Sequence, residues 1–170
     1  VALFSVPFLA AIMAGRESFS ALAIGVALLI GLLSIVGESV ADRQLARFRA
    51  NPANRGQACR DGLWRYSRHP NYFFEWLHWW AYVALAAGTP WVLPALAGPL
   101  LMLLFLFRLT GIPYTEAQAL RSRGDAYRRY QETTSVFIPW FPRRSESRAC
   151  SRWPSSAAFP TYSPGRESAA

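Results

Sequence analysis

Three stretches of the chain carry no charge, Val1 to Gly15, Phe19 to Gly37 and Thr89 to Phe107, and the last two approach the length of a bilayer crossing. About 20 apolar residues cover a hydrocarbon core. A further apolar run, Tyr72 to Gly88, is interrupted only by Glu75 and His78, which inside such a run mark a functional group. Together these runs predict four hydrophobic helices. The second continues past the membrane surface as an amphipathic helix to Ala50, with Glu38, Asp42, Gln44 and Arg47 polar and Val40, Leu45 and Phe48 apolar, until Asn51-Pro52 breaks it. Gly111 and Pro113 stop the fourth beyond Arg108. Another amphipathic helix is predicted from about Tyr114-Thr115-Glu116, pausing at Gly124-Asp125 and running through Tyr127 and Tyr130 to Thr133. Val136 to Pro142 reads as an extended aromatic segment at the membrane interface, where tryptophan favours the headgroup level. The expected fold is therefore all-α, a multi-pass transmembrane helical bundle with cytoplasmic amphipathic C-terminal helices.

Charge orients this bundle. All 18 basic residues are arginine. Arg43, Arg47, Arg49, Arg55, Arg60, Arg65 and Arg68 crowd one connection, and Arg121, Arg123, Arg128, Arg129, Arg143, Arg144 and Arg148 follow the last apolar run. The positive-inside rule places the 41–70 loop and the C-terminus in the cytoplasm of a multi-pass cell-membrane protein. Orientation accounts for the net charge of +8, so a nucleic-acid partner is not expected in so apolar a chain; the expected partners are the lipid bilayer and an apolar small molecule or lipid. The chain divides into N-terminal transmembrane helices over 1–37, a membrane domain over 38–142 and a tail over 143–170. That tail, rich in serine, proline, alanine and arginine without periodicity, is expected to be disordered. The chain starts at Val1 inside an apolar run without an initiator methionine, which predicts further N-terminal helices. A cleaved signal peptide is disfavoured because Val1 to Gly15 has no basic leader.

Candidate chemistry gathers in Gly62 to Tyr82. Arg65, Arg68 and His69 precede Pro70, a residue suited to the first turn of a helix, and Asn71, Glu75, His78 and Tyr82 then recur on one helical face. Polar groups on an apolar helix are costly unless they face a cavity or each other. Glycine spacing offers no dinucleotide fingerprint, and a chain without lysine has no Walker-type phosphate loop. His69 and His78 are too few for a di-iron membrane site, His69 lies before the helix that carries Glu75 and His78, and no metal is expected. Cys59 and Cys150 lack ligand spacing and sit on the reducing side. Arginines at a membrane boundary can grip phosphates and neighbouring rings can stack on a base, so the residues agree with a nucleotide without choosing one.

The run Gly62-Leu63-Trp64-Arg65-Tyr66-Ser67-Arg68-His69-Pro70-Asn71-Tyr72 with Glu75 and Trp76, followed by Thr110-Gly111-Ile112-Pro113, Glu116, Arg123-Gly124-Asp125, Tyr127, Tyr130, Gln131, Thr133-Thr134 and Phe137-Ile138-Pro139-Trp140, resembles the bacterial relatives of the steroid 5α-reductase C-terminal domain. That superfamily also holds sterol C14 and C7 reductases and isoprenylcysteine carboxyl methyltransferase. The resemblance covers roughly Glu38 to Pro142. It implies a cytoplasmic nucleotide pocket lined by Arg65, Tyr66, Arg68, His69, Asn71 and Tyr72, closed by Glu116, Tyr127 and Tyr130, with Glu75 deeper. The cofactor it implies is NADPH for a reductase or S-adenosylmethionine for a methyltransferase. Relatives commonly carry glycine where this chain has Phe74, which predicts a narrower approach to the pocket.

For a reductase the resemblance implies reduction of a C=C bond in a lipid-like or steroid-like substrate, an oxidoreductase of lipid metabolism. Glu75 and Tyr82 are then the candidates to polarise a conjugated carbonyl and supply a proton, with His78 as relay. A methyltransferase acting on a lipid or prenyl-type acceptor is the alternative, and a non-catalytic membrane fragment is the third.

Overall fold

Ser20 opens the first long helix, its hydroxyl accepting from the Ala23 N–H at 3.1 Å in place of the missing helical partner. That helix, α1, runs Ala21–Ala50. The computed structural model describes residues 20–143 apart from 110, together with Leu9, Ile12 and Met13. The helix expected over Val1 to Gly15 otherwise falls outside the described residues, and so does the tail beyond Arg143. At the far end of α1 the Asn51 side chain caps a single 3-10 turn, Pro52–Asn54, and the chain leaves the helix there as Asn51-Pro52 predicts.

A second 3-10 turn, Gly62–Arg65, leads to α2, Pro70–Leu85. The two helices pack antiparallel. Ser34 meets His78, Gly37 meets Phe74, and Ala41 accepts from the Trp64 indole, so rising numbers on α1 face falling numbers beyond it. The buried positions of α1 are Ala23, Ala27, Ser34 and Ala41, all small, while Leu22 is 78% and Leu28 69% exposed. Small residues inward and large apolar residues outward invert the order of a water-soluble helix and suit apolar surroundings.

Gly37 marks a close approach of the two helices. A Cβ there would overlap the Phe74 ring, so the ring lies on the bare backbone of α1. Gly37→Ala is therefore expected to cost about 1–3 kcal/mol as an overpacked contact. Thermal melting of Gly37→Ala and of Gly37→Ala/Phe74→Leu checks it: the second substitution should return most of the loss, and equal losses would refute the contact.

Beyond α2 the chain turns at Gly88, at a φ of 82° that favours glycine, and the Thr89 hydroxyl bonds the Ala86 carbonyl at 2.8 Å. The Thr89 to Phe107 run was expected as one helix, but the structure divides it. A short α3, Val92–Ala95, is followed by α4, Ala97–Leu104, and by a π-helical turn, Phe105–Leu109. Pro99 has no N–H to offer the Ala95 carbonyl four residues back, which breaks the ladder where α3 ends. The Pro99 carbonyl in turn accepts from Trp76 Nε1 at 3.1 Å, tying α4 to α2.

Two stretches are long and apolar enough to cross a membrane, Ala21–Ala50 and Val92–Arg123. The apolar part of the second ends at the π-helical turn. α2 has 16 residues and spans about 24 Å at 1.5 Å per residue, shorter than a hydrocarbon core.

Gly111 precedes α5, Ile112–Arg123, and Gly124, at a φ of 51°, separates it from α6, Asp125–Thr133. Thr134 is extended, and the chain then bends over residues 136–138, where an extended segment was expected. Phe137 enters a core with Met102, Leu106 and Ile112, with Phe73 and Trp76 packed against it. Every regular element among the described residues is helical.

Candidate functional site

The turn before α2 is fastened on three sides. Gln44 of α1 accepts from the Leu63 N–H at 2.9 Å, and its side chain fills the space a Cβ of Gly62 would need. Trp64 Nε1 donates to the Ala41 carbonyl at 2.9 Å. On the opposite side the Ser67 hydroxyl donates to the Phe137 carbonyl at 2.7 Å, and the Arg68 N–H to the Ser135 carbonyl at 2.8 Å. Tyr130 of α6, 2% exposed, donates its phenol to the Trp64 carbonyl and lies 3.2 Å from that of Ser67. Arg68 and His69 are thus presented from a backbone with little freedom, just ahead of Pro70.

Glu116 of α5 meets them. Its Oε1 lies 2.9 Å from Arg68 Nε and 3.4 Å from His69 Nε2, and its Oε2 accepts from Gln131 at 2.9 Å. Arg68 and Glu116 side chains are only 10% and 16% exposed. The Arg68 Nε contact is an ion pair without the alignment of a directed hydrogen bond. The His69 and Tyr72 rings stack at 5.4 Å, 4° from parallel.

Burial alone pushes the Glu116 carboxyl up, but the His69 hydrogen bond, the Arg68 charge and the Gln131 amide together hold it below the ordinary carboxylate range. A carboxyl lowered by folding stabilises the fold above its ordinary range, and that stability is lost as pH falls through the lowered value. The melting temperature of the native chain should therefore fall toward that of Glu116→Gln on acidification; a gap that stays constant from neutral to strongly acidic pH would refute it.

Beside this pair lies a cavity of about 460 Å³. Arg68, His69, Asn71, Tyr72, Tyr127 and Tyr130 line it, and Glu116 bonds to its wall. Tyr127 is pushed up to about 12, first by burial and then by the Glu116 charge, and burial pushes Tyr130 up further. Both phenols therefore stay protonated at neutral pH. The Cys59 thiol, also on the wall, is raised by burial and is a poor nucleophile there.

Arg65 and Tyr66, the other two expected pocket residues, do not line the cavity. Arg65 borders a second cleft with Arg60 and Arg143, and the Tyr66 ring packs on Phe141. Glu75, His78 and Tyr82 are also absent from the cavity lining. His78 lies between Ser34 Oγ at 3.3 Å and the Tyr82 phenol at 3.4 Å, in the seam between α1 and α2. Glu75 is half-buried within electrostatic reach of Glu38 and Asp42. The Phe74 ring lies on Gly37, outside the cavity lining that it was expected to narrow.

Several wall residues were not anticipated. Thr115, Gln118, Ala119 and Ser122 form one wall at i, i+3, i+4 and i+7, and Leu45, Phe48 and Arg49 come from the end of α1. Both spacings are in the sequence, but nothing in a single helix says that it faces the Arg68 turn. Among the described residues no group of three histidine, cysteine or carboxylate side chains could hold a metal ion.

The site presents Arg49, Arg68 and Arg123 to one cavity, with a stacked ring pair and the neutral Tyr127 phenol. Such an arrangement can bind an anionic ligand with a planar part. The family model described as "Protein of unknown function (DUF1295)" matches residues 1–134. No curated protein and no solved structure matches the chain.

Proposed function

We propose, from the premise that this chain belongs to the DUF1295 family, that it is a steroid 5α-reductase-like integral membrane oxidoreductase that uses NADPH to reduce a C=C bond of a lipid-like substrate. The observation that carries this reading is the cavity at the arginine-rich end of the bundle, lined by Arg49, Arg68 and Arg123. A cavity of about 460 Å³ falls within the range of about 300–1,000 Å³ usual for small-molecule sites. The outward apolar face of α1 and the arginines at its far end support a multi-pass bundle with this cavity at the cytoplasmic surface.

The residues present fit a phosphorylated nucleotide. Arg49, Arg68 and Arg123 would hold its phosphates, the His69–Tyr72 stack offers a flat wall to a ring, and the neutral Tyr127 phenol can donate without adding negative charge. Bound NADPH would supply a hydride to an electron-poor carbon. Asn71 would orient the ligand from the cavity wall, while Glu116 holds Arg68 and His69 in place. Glu75, His78 and Tyr82 would enter the mechanism from the seam between α1 and α2, with Tyr82 and His78 at hydrogen-bond distance for moving a proton.

Glu116 itself favours a second reading. A buried carboxylate beside the cavity attracts a cation, and S-adenosylmethionine carries a sulfonium and an ammonium, so a membrane methyltransferase is the alternative. Titration of the full chain in neutral detergent with each cofactor separates the two. Saturable NADPH binding that weakens at least tenfold in Asn71→Ala and Arg123→Gln is expected; binding of S-adenosylmethionine alone would select the methyltransferase, and binding of neither would end both.

A further inference from the structure

A second cleft, of about 350 Å³, opens at the same end of the bundle and is lined by Arg60, Arg65, Thr133, Thr134, Pro142 and Arg143. Arg65 and Arg143 are exposed, and among the described residues none of the three guanidiniums has an ion-pair partner within 4.0 Å. Arg60 is held over the Tyr130 ring at 5.4 Å from its centroid. The Thr133 hydroxyl is spent on the Arg129 and Tyr130 carbonyls, whereas the Thr134 hydroxyl meets only that of Thr133, at 3.5 Å. Three positive charges and an available hydroxyl in one recess form an acceptor for a phosphate group.

The surroundings identify what carries that phosphate. Ile138, Trp140 and Phe141 are 58%, 69% and 77% exposed on the stretch just before Arg143. Their register is fixed, because Phe137 is anchored against Phe73, Trp76 and Phe107 and the Trp140 N–H donates to the Tyr66 carbonyl at 2.9 Å. A soluble phosphate would make no use of three large apolar side chains beside its site. A lipid uses both: its phosphate enters the cleft while its acyl chains cover the aromatic residues.

We propose that the Arg60–Arg65–Arg143 cleft binds the phosphate of an anionic membrane phospholipid, with Ile138, Trp140 and Phe141 against its acyl chains. The site lies outside the cavity assigned above to a nucleotide, and its test uses no nucleotide, so the two readings fail separately.

The test titrates the full chain in neutral detergent with short-chain phosphatidylglycerol, phosphatidylcholine or inorganic phosphate. The signal is the tryptophan fluorescence that disappears in Trp140→Phe. Phosphatidylglycerol is expected to give a saturable change that weakens with salt, about fivefold tighter per arginine engaged than phosphatidylcholine. Arg143→Gln should weaken it about fivefold and Arg60→Gln/Arg143→Gln about 25-fold at unchanged helix content. Should the double variant lose helix, Arg143→Lys, which keeps the charge at an exposed position, must still prefer phosphatidylglycerol. Equal response to both lipids, undiminished binding in the folded glutamine variants, or displacement of the lipid by inorganic phosphate at like concentration would each overturn the proposal.

Discussion

Tyr130→Phe is expected to lower the melting temperature of the full chain by roughly 4–12 °C. The substitution keeps the ring and its stack under Arg60 but removes the only donor that α6 sends to the Trp64 and Ser67 carbonyls. Leaving buried acceptors without that donor costs about 2–3 kcal/mol, and a chain of this size loses about 2–4 °C per kcal/mol. Tyr130→Ala adds an unfilled space beside Tyr127 and should cost more, about 3–5 kcal/mol in total. Melting read by circular dichroism checks both. A Tyr130→Phe protein as stable as the native chain would mean that α6 is not held to the Arg68 turn through this phenol.

The punctuation of this architecture was legible in the sequence. Asn51-Pro52, Pro70, Gly111 and Gly124 stand where the structure ends or begins its helices, because each acts through its own backbone and needs no partner. The length of the fourth apolar run was less legible. Hydropathy reads through Pro94 and Pro99, whereas the hydrogen-bond ladder does not. The polar face Asn71, Glu75, His78 and Tyr82 was visible as a face, but its destination was not: Asn71 reaches the cavity, whereas His78 turns to Ser34. Helical spacing fixes which residues share a side and leaves open which helix that side meets. Resemblance brought Arg68, His69, Tyr127 and Tyr130 together across the chain, which periodicity within any one helix cannot do. It also carried Arg65 and Tyr66 with them, and the 3-10 turn that presents Arg68 to the cavity leaves those two residues outside it.

The second large effect concerns Arg68 and Glu116. Arg68→Met leaves the Glu116 carboxylate buried with His69 and Gln131 as its partners, and breaking such a pair costs about 3–5 kcal/mol. Glu116→Met strands the Arg68 charge in the same way. The double variant Arg68→Met/Glu116→Met removes both charges and replaces them with apolar bulk, so it should regain most of the lost stability. It should not regain ligand binding, because the cavity has lost its buried guanidinium. Melting temperature and NADPH titration on the three variants give both halves of this cycle. A double variant no more stable than the worse single variant would show that the pair is not coupled, and a double variant that binds NADPH as the native chain does would remove Arg68 from the site.

The segment after α6 has a consequence in time. Its Phe137 carbonyl receives the Ser67 hydroxyl across 70 positions of chain, and Ser135 and Trp140 complete the same seam. A growing chain delivers α1 and α2 long before it delivers that segment, so the apolar helices can pair while the turn that carries Ser67 and Arg68 still lacks its distant brace. A ribosome halted before residue 134 would leave the Ser67 hydroxyl without the Phe137 carbonyl and the Arg68 N–H without that of Ser135. Rigidity at the Arg68 turn therefore arrives only after the two helices beside it have been made.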